Sequence, residues 1–260
     1  MDEIKIMVAA HKKYQMPANS IYIPVHVGAE GKEPIGYTPD NTGDNISAKN
    51  ANYCELTGLY WMWKNSMADV IGLAHYRRYF TMKKPSPFAK ADDKWKCIAT
   101  EKQIRMMLKK APIILPKKRN YYIETNYSQY AHAHHAIDLD MTREIISEKY
   151  PEYLSAFDSN MKLTKEHRFN MFIMESKYVD EYCAWLFDIL FELEKRLDIS
   201  TYSKNDARVF GFVSERLLDV WLDTKVYMYV EMPVVFMEDE HWLIKGTNFI
   251  KRKIFKGKKQ

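Results

Sequence analysis

A cationic and aromatic segment follows a strongly apolar run in the first third of the chain. The run covers residues 70–74 and leads directly into His-Tyr-Arg-Arg-Tyr at residues 75–79. In an open α/β sheet the ligand crevice lies beyond the carboxyl ends of the strands, and guanidinium groups match phosphate oxygens in pairs. We therefore predict that Arg77 and Arg78 contact a diphosphate, with one of them pointing inward because side chains alternate along an extended segment. A surface salt bridge is the alternative.

A second polar cluster lies at the start of a predicted helix. Five polar side chains lie close to Gly43: Asp44, Asn45, Ser47, Lys49 and Asn50. The first turn of a helix offers free N–H groups and a partial positive charge, which suit a phosphate or a polar ring. Ordinary capping would explain Ser47 and Asn45 but not all five residues, so we predict a ligand-binding role for this segment.

A third candidate lies on a helix predicted at about residues 206–223. Arg208, Gly211 and Glu215 are three and four residues apart, so they share one face of that helix. We predict that Arg208 binds an anion and that Glu215 acts as a general base, with Gly211 leaving room for the ligand between them. The alternative is that Glu215 pairs with a neighbouring arginine.

Histidines and aspartates are concentrated between residues 130 and 140. The segment contains His132, His134, His135, Asp138 and Asp140. These residue types bind zinc and other transition metals, so a metal-dependent hydrolase is an alternative function. The segment lacks an HExxH frame, and Asp138 is equally suited to capping the next helix. Asp-Leu-Asp at 138–140 also resembles a metal-binding Asp-x-Asp, but it precedes a helix rather than ending a strand.

Strands and helices alternate in the first third of the chain. Apolar runs predict strands at 4–10, 20–28 and 70–74, and a 3.6-residue spacing predicts a helix from Ser47 to about Asn65. Strands that are apolar throughout are typical of a sheet covered on both faces. The prediction is therefore a Rossmann-like mixed α/β sheet flanked by helices.

The second half of the chain is predicted to be mainly helical. The clearest helix carries one apolar stripe, formed by Tyr182, Trp185, Leu186, Ile189 and Leu193. The next helix has its own predicted inward face, formed by Val209, Phe212, Val213, Leu217 and Val220. No internal repeat or low-complexity linker interrupts the pattern, so we predict a single domain with a helical C-terminal half.

Composition restricts the class of protein. The chain has 260 residues, 47% of them apolar, and a net charge of +5. Its first ten residues lack the features of a signal peptide, and no apolar run approaches the ~18–20 residues that span a bilayer. Three cysteines without CxxC spacing argue against a disulfide framework and indicate a reducing cytosol. No nucleic-acid-binding signature accompanies the positive charge.

The last residues combine basic and apolar side chains. In the tail, residues 246–260, lysines and arginines alternate with Phe249, Ile250, Ile254 and Phe255. Such a segment can dock on anionic lipid headgroups, and a solvated terminus is the alternative. We therefore expect a cytoplasmic protein with a peripheral contact at the inner face of the membrane.

Six blocks of the sequence together resemble a bacterial family. They are GDNISAKNANYCELTGLYWMWKN, IGLAHYRRYF, PEYLSAF, FNMFIM, YCAWLFDILFELE and ARVFGFVSERLLDVWL. In this order they resemble the glycosyltransferases of capsular and exopolysaccharide biosynthesis, a domain-of-unknown-function family with a GT-A-like fold and some members linked to galactofuranose transfer. The resemblance extends over about residues 4–245, and the first two blocks are long enough to be specific.

The resemblance implies a site for a nucleotide-diphosphate sugar. Together with the polar helix start, it makes the donor-nucleotide candidates Ala10, His11, Asp44, Asn45, Lys49 and Asn50. It also places residues 75–77 where GT-A enzymes usually carry a metal-binding Asp-x-Asp. Since His-Tyr-Arg is no carboxylate pair, we favour a metal-independent mechanism, with Mn²⁺ and Mg²⁺ as the ions to test. In it Arg77, Arg78 and Arg208 neutralise the leaving diphosphate. Phe169 stands where the family pattern leads us to expect tyrosine.

The resulting prediction is a hexosyltransferase of bacterial surface-glycan assembly. The donor is UDP-linked, with galactofuranose among the candidate sugars, and the acceptor is a glycan or lipid-linked glycan. We expect a nucleotide-sugar half at about 1–115 and an acceptor half at about 116–245. The catalytic candidates are Glu215, His75 and Asp138, and the acceptor or sugar contacts are Tyr76, Asn170 and Asp140. A non-catalytic sugar- or nucleotide-binding partner in polysaccharide assembly is the remaining alternative.

Overall fold

The computed structural model describes residues 2–86 and 89–238. The strands in this part of the chain are β1 (Ile4–Ala10), β2 (Tyr22–His26), β3 (Thr38–Pro39), β4 (Val70–His75), β5 (Arg78–Phe80), β6 (Ile113–Pro116), β7 (Arg119–Asn120), β8 (Lys165–Glu166), β9 (Phe172–Glu175), β10 (Tyr229–Met232) and β11 (Val234–Phe236). The α-helices are α1 (Asn50–Tyr53), α2 (Leu56–Asn65), α3 (Ala91–Lys96), α4 (Glu101–Leu108), α5 (Asn126–Ala133), α6 (Ala136–Lys149), α7 (Leu154–Lys162), α8 (Ser176–Arg196) and α9 (Val209–Lys225). Short 3₁₀ turns precede α1, α7 and α9.

A nine-stranded mixed sheet organises the described residues, and β7 and β8 form a separate two-stranded sheet. The strand order of the larger sheet is β10-β6-β9-β4-β1-β2-β3, and β5 pairs with both β4 and β11. β1 pairs in parallel with β2 and β4, whereas β9 runs antiparallel to β4 and β6. Because β9 is reversed, its first residues lie beside the carboxyl end of β4, where Leu73 pairs with Phe172. The predicted mixed α/β sheet flanked by helices is confirmed.

The central strands are buried on both faces. Ile6 and Val8 of β1 belong to one hydrophobic cluster, and Met7 and Leu73 belong to the cluster on the opposite face. Alternate residues of a strand point to opposite faces, so a strand with a core on each side is apolar at nearly every position; in β1 the exception is Lys5 near its start. Burying each large apolar side chain contributes about 1.5–3 kcal/mol.

The two long C-terminal helices also follow the predicted pattern. All five stripe residues of α8 are buried, with Trp185 the most exposed at 5%. On α9 four of the five predicted inward residues are fully buried. The fifth, Phe212, is half-buried and stacks on the imidazole of His134, with ring centroids 4.2 Å apart. The helix ends at Lys225 and is followed by Val226, which is left-handed with φ 55°.

The single helix predicted from Ser47 to Asn65 is wrong. A 3₁₀ turn and α1 are separated from α2 by a bend at Cys54, which has a positive φ of 53° and a ψ of −130°. The amide of Asn50 donates a hydrogen bond to the Cys54 carbonyl at 2.7 Å, and Thr57 Oγ1 donates to the same carbonyl at 3.2 Å. Ser47 does not cap a helix, because its hydroxyl donates to the buried carboxylate of Asp40.

The predicted halves of the chain are not separate in the sheet. Strands β9 and β10, which follow residue 116, lie in the same sheet as β1 and β4, and the proposed division near residue 115 stays a prediction. Within the described residues, no helix is both long and apolar enough to cross a bilayer. The basic and apolar tail at 246–260 lies outside the described residues.

Candidate functional site

The candidate site lies at the carboxyl end of β4, where four segments of the chain meet. His75 is the last residue of β4, and residues 168–170 lie beside it before β9 begins. Residues 54–55 approach from the bend between α1 and α2, and residues 208–215 comprise the end of the last 3₁₀ turn and the start of α9. Hydrogen bonds join all four segments, so the site has a defined geometry.

Two residues before β9 have an uncommon backbone conformation. Phe169 has φ 76° and Asn170 has φ 53°, a region that residues other than glycine rarely adopt. The Phe169 carbonyl accepts a hydrogen bond from His75 Nε2 at 2.6 Å. Such backbone strain is typical of functional sites, where the surrounding structure holds it in place.

The Asn170 side chain holds together three parts of the site. Its Nδ2 donates to Glu55 Oε1 at 2.8 Å and to the Gly211 carbonyl at 3.1 Å. Its Oδ1 accepts from Ser214 Oγ at 2.9 Å. Because both ends of the amide are bonded, its orientation is fixed, and with it the position of the Glu55 carboxylate.

The bend at Cys54 brings its thiol against α9. Arg208 Nε donates to Cys54 Sγ at 3.1 Å, and burial raises the pKa of the thiol to about 11, so the sulfur stays protonated at neutral pH. A methyl group built on Gly211 would lie 3.4 Å from the Cys54 side chain. The space beside Gly211 is therefore occupied by Cys54, whereas the sequence predicted room for a ligand there.

Glu215 forms an ion pair with a neighbouring arginine, the alternative considered from the sequence. Arg168 Nε lies 2.7 Å from Glu215 Oε2. Arg168 also bonds the phenol of Tyr121, which donates to Glu166 Oε1 at 2.7 Å. Arg216 forms an ion pair with Glu166 and is buried. These charges neutralise one another beneath the site, and burying them requires such pairing.

His75 has a neutral imidazole. Burial lowers its pKa, the nearby Arg78 lowers it further, and the carboxylates of Glu55 and Glu215 oppose this shift only in part. Since a carbonyl oxygen can only accept, the bond to Phe169 assigns the proton to Nε2. Nδ1 therefore carries a lone pair that can accept a hydrogen bond.

The two arginines after β4 differ in their surroundings. Arg77 forms an ion pair with Glu238 at 2.9 Å and has a half-exposed side chain. The Arg78 guanidinium lies over the ring of Phe169, 4.4 Å from its centroid, and acts electrostatically on His75. Arg77 therefore forms the surface salt bridge considered from the sequence, and Arg78 is the arginine that lies against Phe169 near His75.

The sequence also decides the family of the chain. It matches the model of a domain of unknown function, DUF4422, over residues 5–226. The chain belongs to the DUF4422 family. No significantly similar protein was found among curated proteins.

A solved glycosyltransferase has a similar structure. The apo structure of the bifunctional glycosyltransferase WbbM superposes on this DUF4422 chain with a TM-score of 0.82 and 30% sequence identity. The match covers 90% of the DUF4422 chain and 45% of the WbbM chain, so the DUF4422 chain spans less than half the length of WbbM. The glycosyltransferase-like fold predicted from the sequence is confirmed.

The polar loop before α1 of the DUF4422 chain is organised by a residue that the sequence interpretation missed. The Asp40 carboxylate is fully buried and accepts hydrogen bonds from the backbone N–H groups of Gly28 and Ala29 at 2.8 and 3.0 Å. It also accepts from Thr57 Oγ1 at 2.6 Å. Asp40 therefore fixes the loop after β2 against the first turn of α2.

The predicted nucleotide-binding residues do not form one cluster in the DUF4422 chain. Ala10 is buried at the end of β1, and the next residue, His11, lies edge-on to Tyr76 at 5.4 Å. Asn50 bonds the bend at Cys54 and so lies close to the site.

The other three predicted nucleotide-binding residues form hydrogen bonds or ion pairs away from the site. Asp44 accepts from Tyr60 in α2 at 3.2 Å, and Asn45 accepts from the backbone of Ser47 at 3.1 Å. Lys49 pairs with Glu194 near the end of α8 at 2.7 Å. Their nucleotide-binding roles stay predictions.

The histidine and aspartate segment does not form a metal site. Asp138 is buried on α6 and accepts from the phenols of Tyr130 and Tyr202 at 2.8 and 2.6 Å. Asp140 accepts from Tyr127, and the histidines pair with other carboxylates. In residues 2–86 and 89–238, no group of three His, Cys, Asp or Glu side chains could hold a metal ion. The metal-site hypothesis for residues 132–140 is therefore wrong for the described residues. His134 and His135 share only one carboxylate, Asp206, and the other members of the segment have separate partners.

Glu55, Cys54 and Arg168 are site residues that the sequence interpretation did not select. Glu55 and Cys54 lie in the block YCELT, and Arg168 lies just before the block FNMFIM. Both blocks contribute to the family resemblance, which was the available sequence signal that these segments belong to a functional site. No local spacing connects residues 55 and 170, which meet only because β9 is reversed.

Proposed function

We propose that the chain transfers a hexose from a UDP-linked donor to a growing bacterial surface glycan, with galactofuranose among the candidate sugars. The carrying observation is the convergence of guanidinium groups and carboxylates around the neutral imidazole of His75, at the carboxyl end of a central strand. The charges of Arg78, Glu55 and Glu215 act on His75. The two carboxylates, Glu55 and Glu215, also act on Arg208. The family and the likeness to WbbM support the same reaction class.

Arg78 and Arg208 would bind the diphosphate of the donor. Cleavage of the sugar–phosphate bond places negative charge on the leaving group, and positioned guanidinium groups stabilise that charge. Arg208 is positioned by the thiol of Cys54, and its guanidinium also lies 5.1 Å from the ring centroid of Phe212. Arg78 is positioned by the ring of Phe169. Both cations are therefore held before the donor arrives, which reduces the cost of reorganising them.

Among the described residues, this edge offers no group of three His, Cys, Asp or Glu side chains that could hold a divalent cation. The resemblance places residues 75–77 where GT-A enzymes carry their acidic metal motif, Nε2 of His75 is already bonded to a carbonyl, and the neighbouring Arg77 and Arg78 are cationic. The proposed mechanism therefore assigns neutralisation of the diphosphate to arginine and includes no step through a metal ion.

A thermal-shift screen with nucleotide sugars tests the proposed function. We expect uridine diphosphate and at least one UDP-hexose to raise the melting temperature, since a ligand that binds only the folded state stabilises it. The screen is run with Mn²⁺, with Mg²⁺ and with EDTA, and each stabilising donor is then assayed for transfer to lipid-linked glycan acceptors. No shift with any uridine nucleotide would contradict the proposal. Binding of UDP without any transfer would favour a non-catalytic partner in glycan assembly.

A further inference from the structure

We propose that Glu55 is the general base that deprotonates the acceptor hydroxyl. The proposal rests on the proposed function and replaces Glu215 in that role. Glu55 follows the bend at Cys54 directly, and without that bend α1 and α2 would continue as one helix. The interrupted helix therefore positions the carboxylate that we assign to catalysis.

Glu215 is poorly suited to accept a proton. Its Oε2 lies 2.7 Å from Arg168 Nε, and the two side chains are only 13% and 19% exposed. A proton taken up by Glu215 would leave the Arg168 guanidinium without this counter-charge. Uncompensated buried charge is costly, so the ion pair opposes proton transfer to this residue.

Glu55 can accept a proton without breaking a bond. Its Oε1 accepts from the neutral amide of Asn170 at 2.8 Å, and a protonated carboxyl group can still accept that bond at its carbonyl oxygen. Oε2 makes no hydrogen bond to the residues that the structure describes, which leaves this oxygen for the acceptor hydroxyl. Asn170 is itself fixed by Ser214 and Gly211, so the carboxylate is oriented before substrate binds.

The groups around Glu55 fit this role. The Glu55 carboxylate acts electrostatically on Arg208 and on His75, so the base lies near one of the two cations proposed for the diphosphate. Burial keeps His75 neutral, and no imidazolium competes as a counter-charge.

The proposed step balances without a further reactant. The acceptor O–H bond breaks and its proton moves to Glu55 Oε2. The acceptor oxygen forms a bond to the anomeric carbon as the bond from that carbon to the phosphate oxygen breaks. The electron pair leaves with the nucleoside diphosphate, whose charge Arg78 and Arg208 stabilise. The reaction inverts the configuration at the anomeric carbon.

Matched carboxylate-to-amide variants test the assignment. Glu55→Gln is expected to reduce transfer by about 10²–10⁴-fold, the usual contribution of a general base. Its Kd for UDP should stay within about two-fold of wild type, because the glutamine carbonyl still accepts the Asn170 bond. In Glu215→Gln the ion pair with Arg168 is lost, so stability should fall while transfer retains the acidic limb of its pH profile.

The pH profile separates the possible outcomes. Wild type and Glu215→Gln should both lose activity as the base is protonated at low pH, whereas the residual activity of Glu55→Gln should lack that limb. Full transfer by Glu55→Gln, or loss of the acidic limb in Glu215→Gln alone, overturns the assignment to Glu55. If Glu55→Gln is unfolded, Glu55→Asp is tested in its place. We expect this variant to transfer sugar more slowly than wild type and still to lose activity at low pH. Transfer at the wild-type rate by Glu55→Asp overturns the assignment. Wild-type protein that transfers no sugar overturns the proposed function itself.

Discussion

Phe169 and Asn170 carry backbone strain that serves the site. Each left-handed residue of this kind costs about 1–3 kcal/mol. The strain directs the Phe169 carbonyl to His75 and the Asn170 amide to Glu55. Glycine would adopt both conformations more easily, but it would provide neither the ring beneath Arg78 nor the amide. The functions of these two side chains therefore explain why residues 169 and 170 are not glycine despite the strain.

Asn170→Asp should disrupt the site with almost no change in shape. The substitution replaces the amide donor by a carboxylate oxygen facing Glu55, so two like charges meet in a partly buried space. We expect a loss of about 1–3 kcal/mol in the free energy of unfolding and a larger loss of transfer than of UDP affinity. Urea denaturation and steady-state kinetics measure both. Asn19→Asp is the control, since Asn19 uses Oδ1 as an acceptor and aspartate retains it; an equal effect there would contradict the explanation.

Arg78→Ala should weaken binding of UDP but not of uridine. Losing a charge-assisted contact to phosphate costs about 1.5–3 kcal/mol, which is roughly a ten-fold or greater loss of affinity. Isothermal titration with UDP and with uridine separates the diphosphate from the nucleoside. Arg77→Ala is the matched control and should have the smaller effect, because the Arg77 guanidinium lies over the ring of Tyr76, whereas that of Arg78 lies over Phe169 near His75. Equal UDP affinity in wild type and Arg78→Ala would rule out the diphosphate contact.

At the scale of elements, α2 packs closely on the central sheet through a glycine. A methyl group built on Gly58 would lie 2.7 Å from Met7 Sδ and 2.7 Å from Val27 Cγ1. Both neighbours belong to the core on that face of the sheet. The absence of a side chain at residue 58 therefore sets the distance between α2 and β1.

Gly58→Ala should destabilise the fold although alanine is the better helix former. Replacing glycine in a helix gains up to about 1 kcal/mol, but overpacking a core costs about 1–3 kcal/mol, and the contact at Val27 is too short to be absorbed. Gly211→Ala is the control in α9, where the nearest contact would be 3.4 Å. We expect the melting temperature to fall for Gly58→Ala and to hold or rise for Gly211→Ala. The opposite order would contradict the packing argument.

The sequence predicted elements better than the connections between them. The burial of β1, β4 and α8 follows from local apolar patterns, and those predictions are confirmed. The bend at Cys54 was missed because periodicity shows which face of a helix is buried but not where its hydrogen bonding is interrupted. Arg168 was missed because its partner Glu215 lies 47 residues away along the chain, and no local rule links such positions.

At the scale of the whole molecule, a buried charge cluster joins β8 to α9 and β10. His167 is fully buried and its two ring nitrogens contact Asp219 and Glu231, with the second contact at 3.1 Å. Lys118 lies 3.2 Å from the same aspartate. Burial alone would lower the pKa of His167, but the hydrogen bonds to Asp219 and Glu231 outweigh it and raise the pKa above its usual value of 6.5. Only protonated His167 can donate to both carboxylates.

Stability should therefore decrease as the pH rises above neutrality. A raised pKa in the folded state contributes stability in full below about pH 6.5, and that contribution is lost as the pH rises through the folded pKa. Urea denaturation between pH 6 and 9 should show this decline in wild type and a flatter profile in His167→Gln. His132→Gln is the control because His132 is 71% exposed. His75 and His134 have lowered pKa values. Their contributions to stability are therefore lost only as the pH decreases below about 6.5, and they do not cause a decline at higher pH. An unchanged slope in His167→Gln would contradict this role.

The reversal of β9 has a consequence for how the molecule matures. Residues 54–55 and 75–78 are synthesised before their partners at 168–170 and 208–215, which emerge from the ribosome later. A nascent chain can thus form β1, β2 and β4 while its cationic edge has no Glu55–Asn170 or Arg208–Cys54 contact. Donor binding and catalysis should arise together, late in folding, because the same closing contacts complete both.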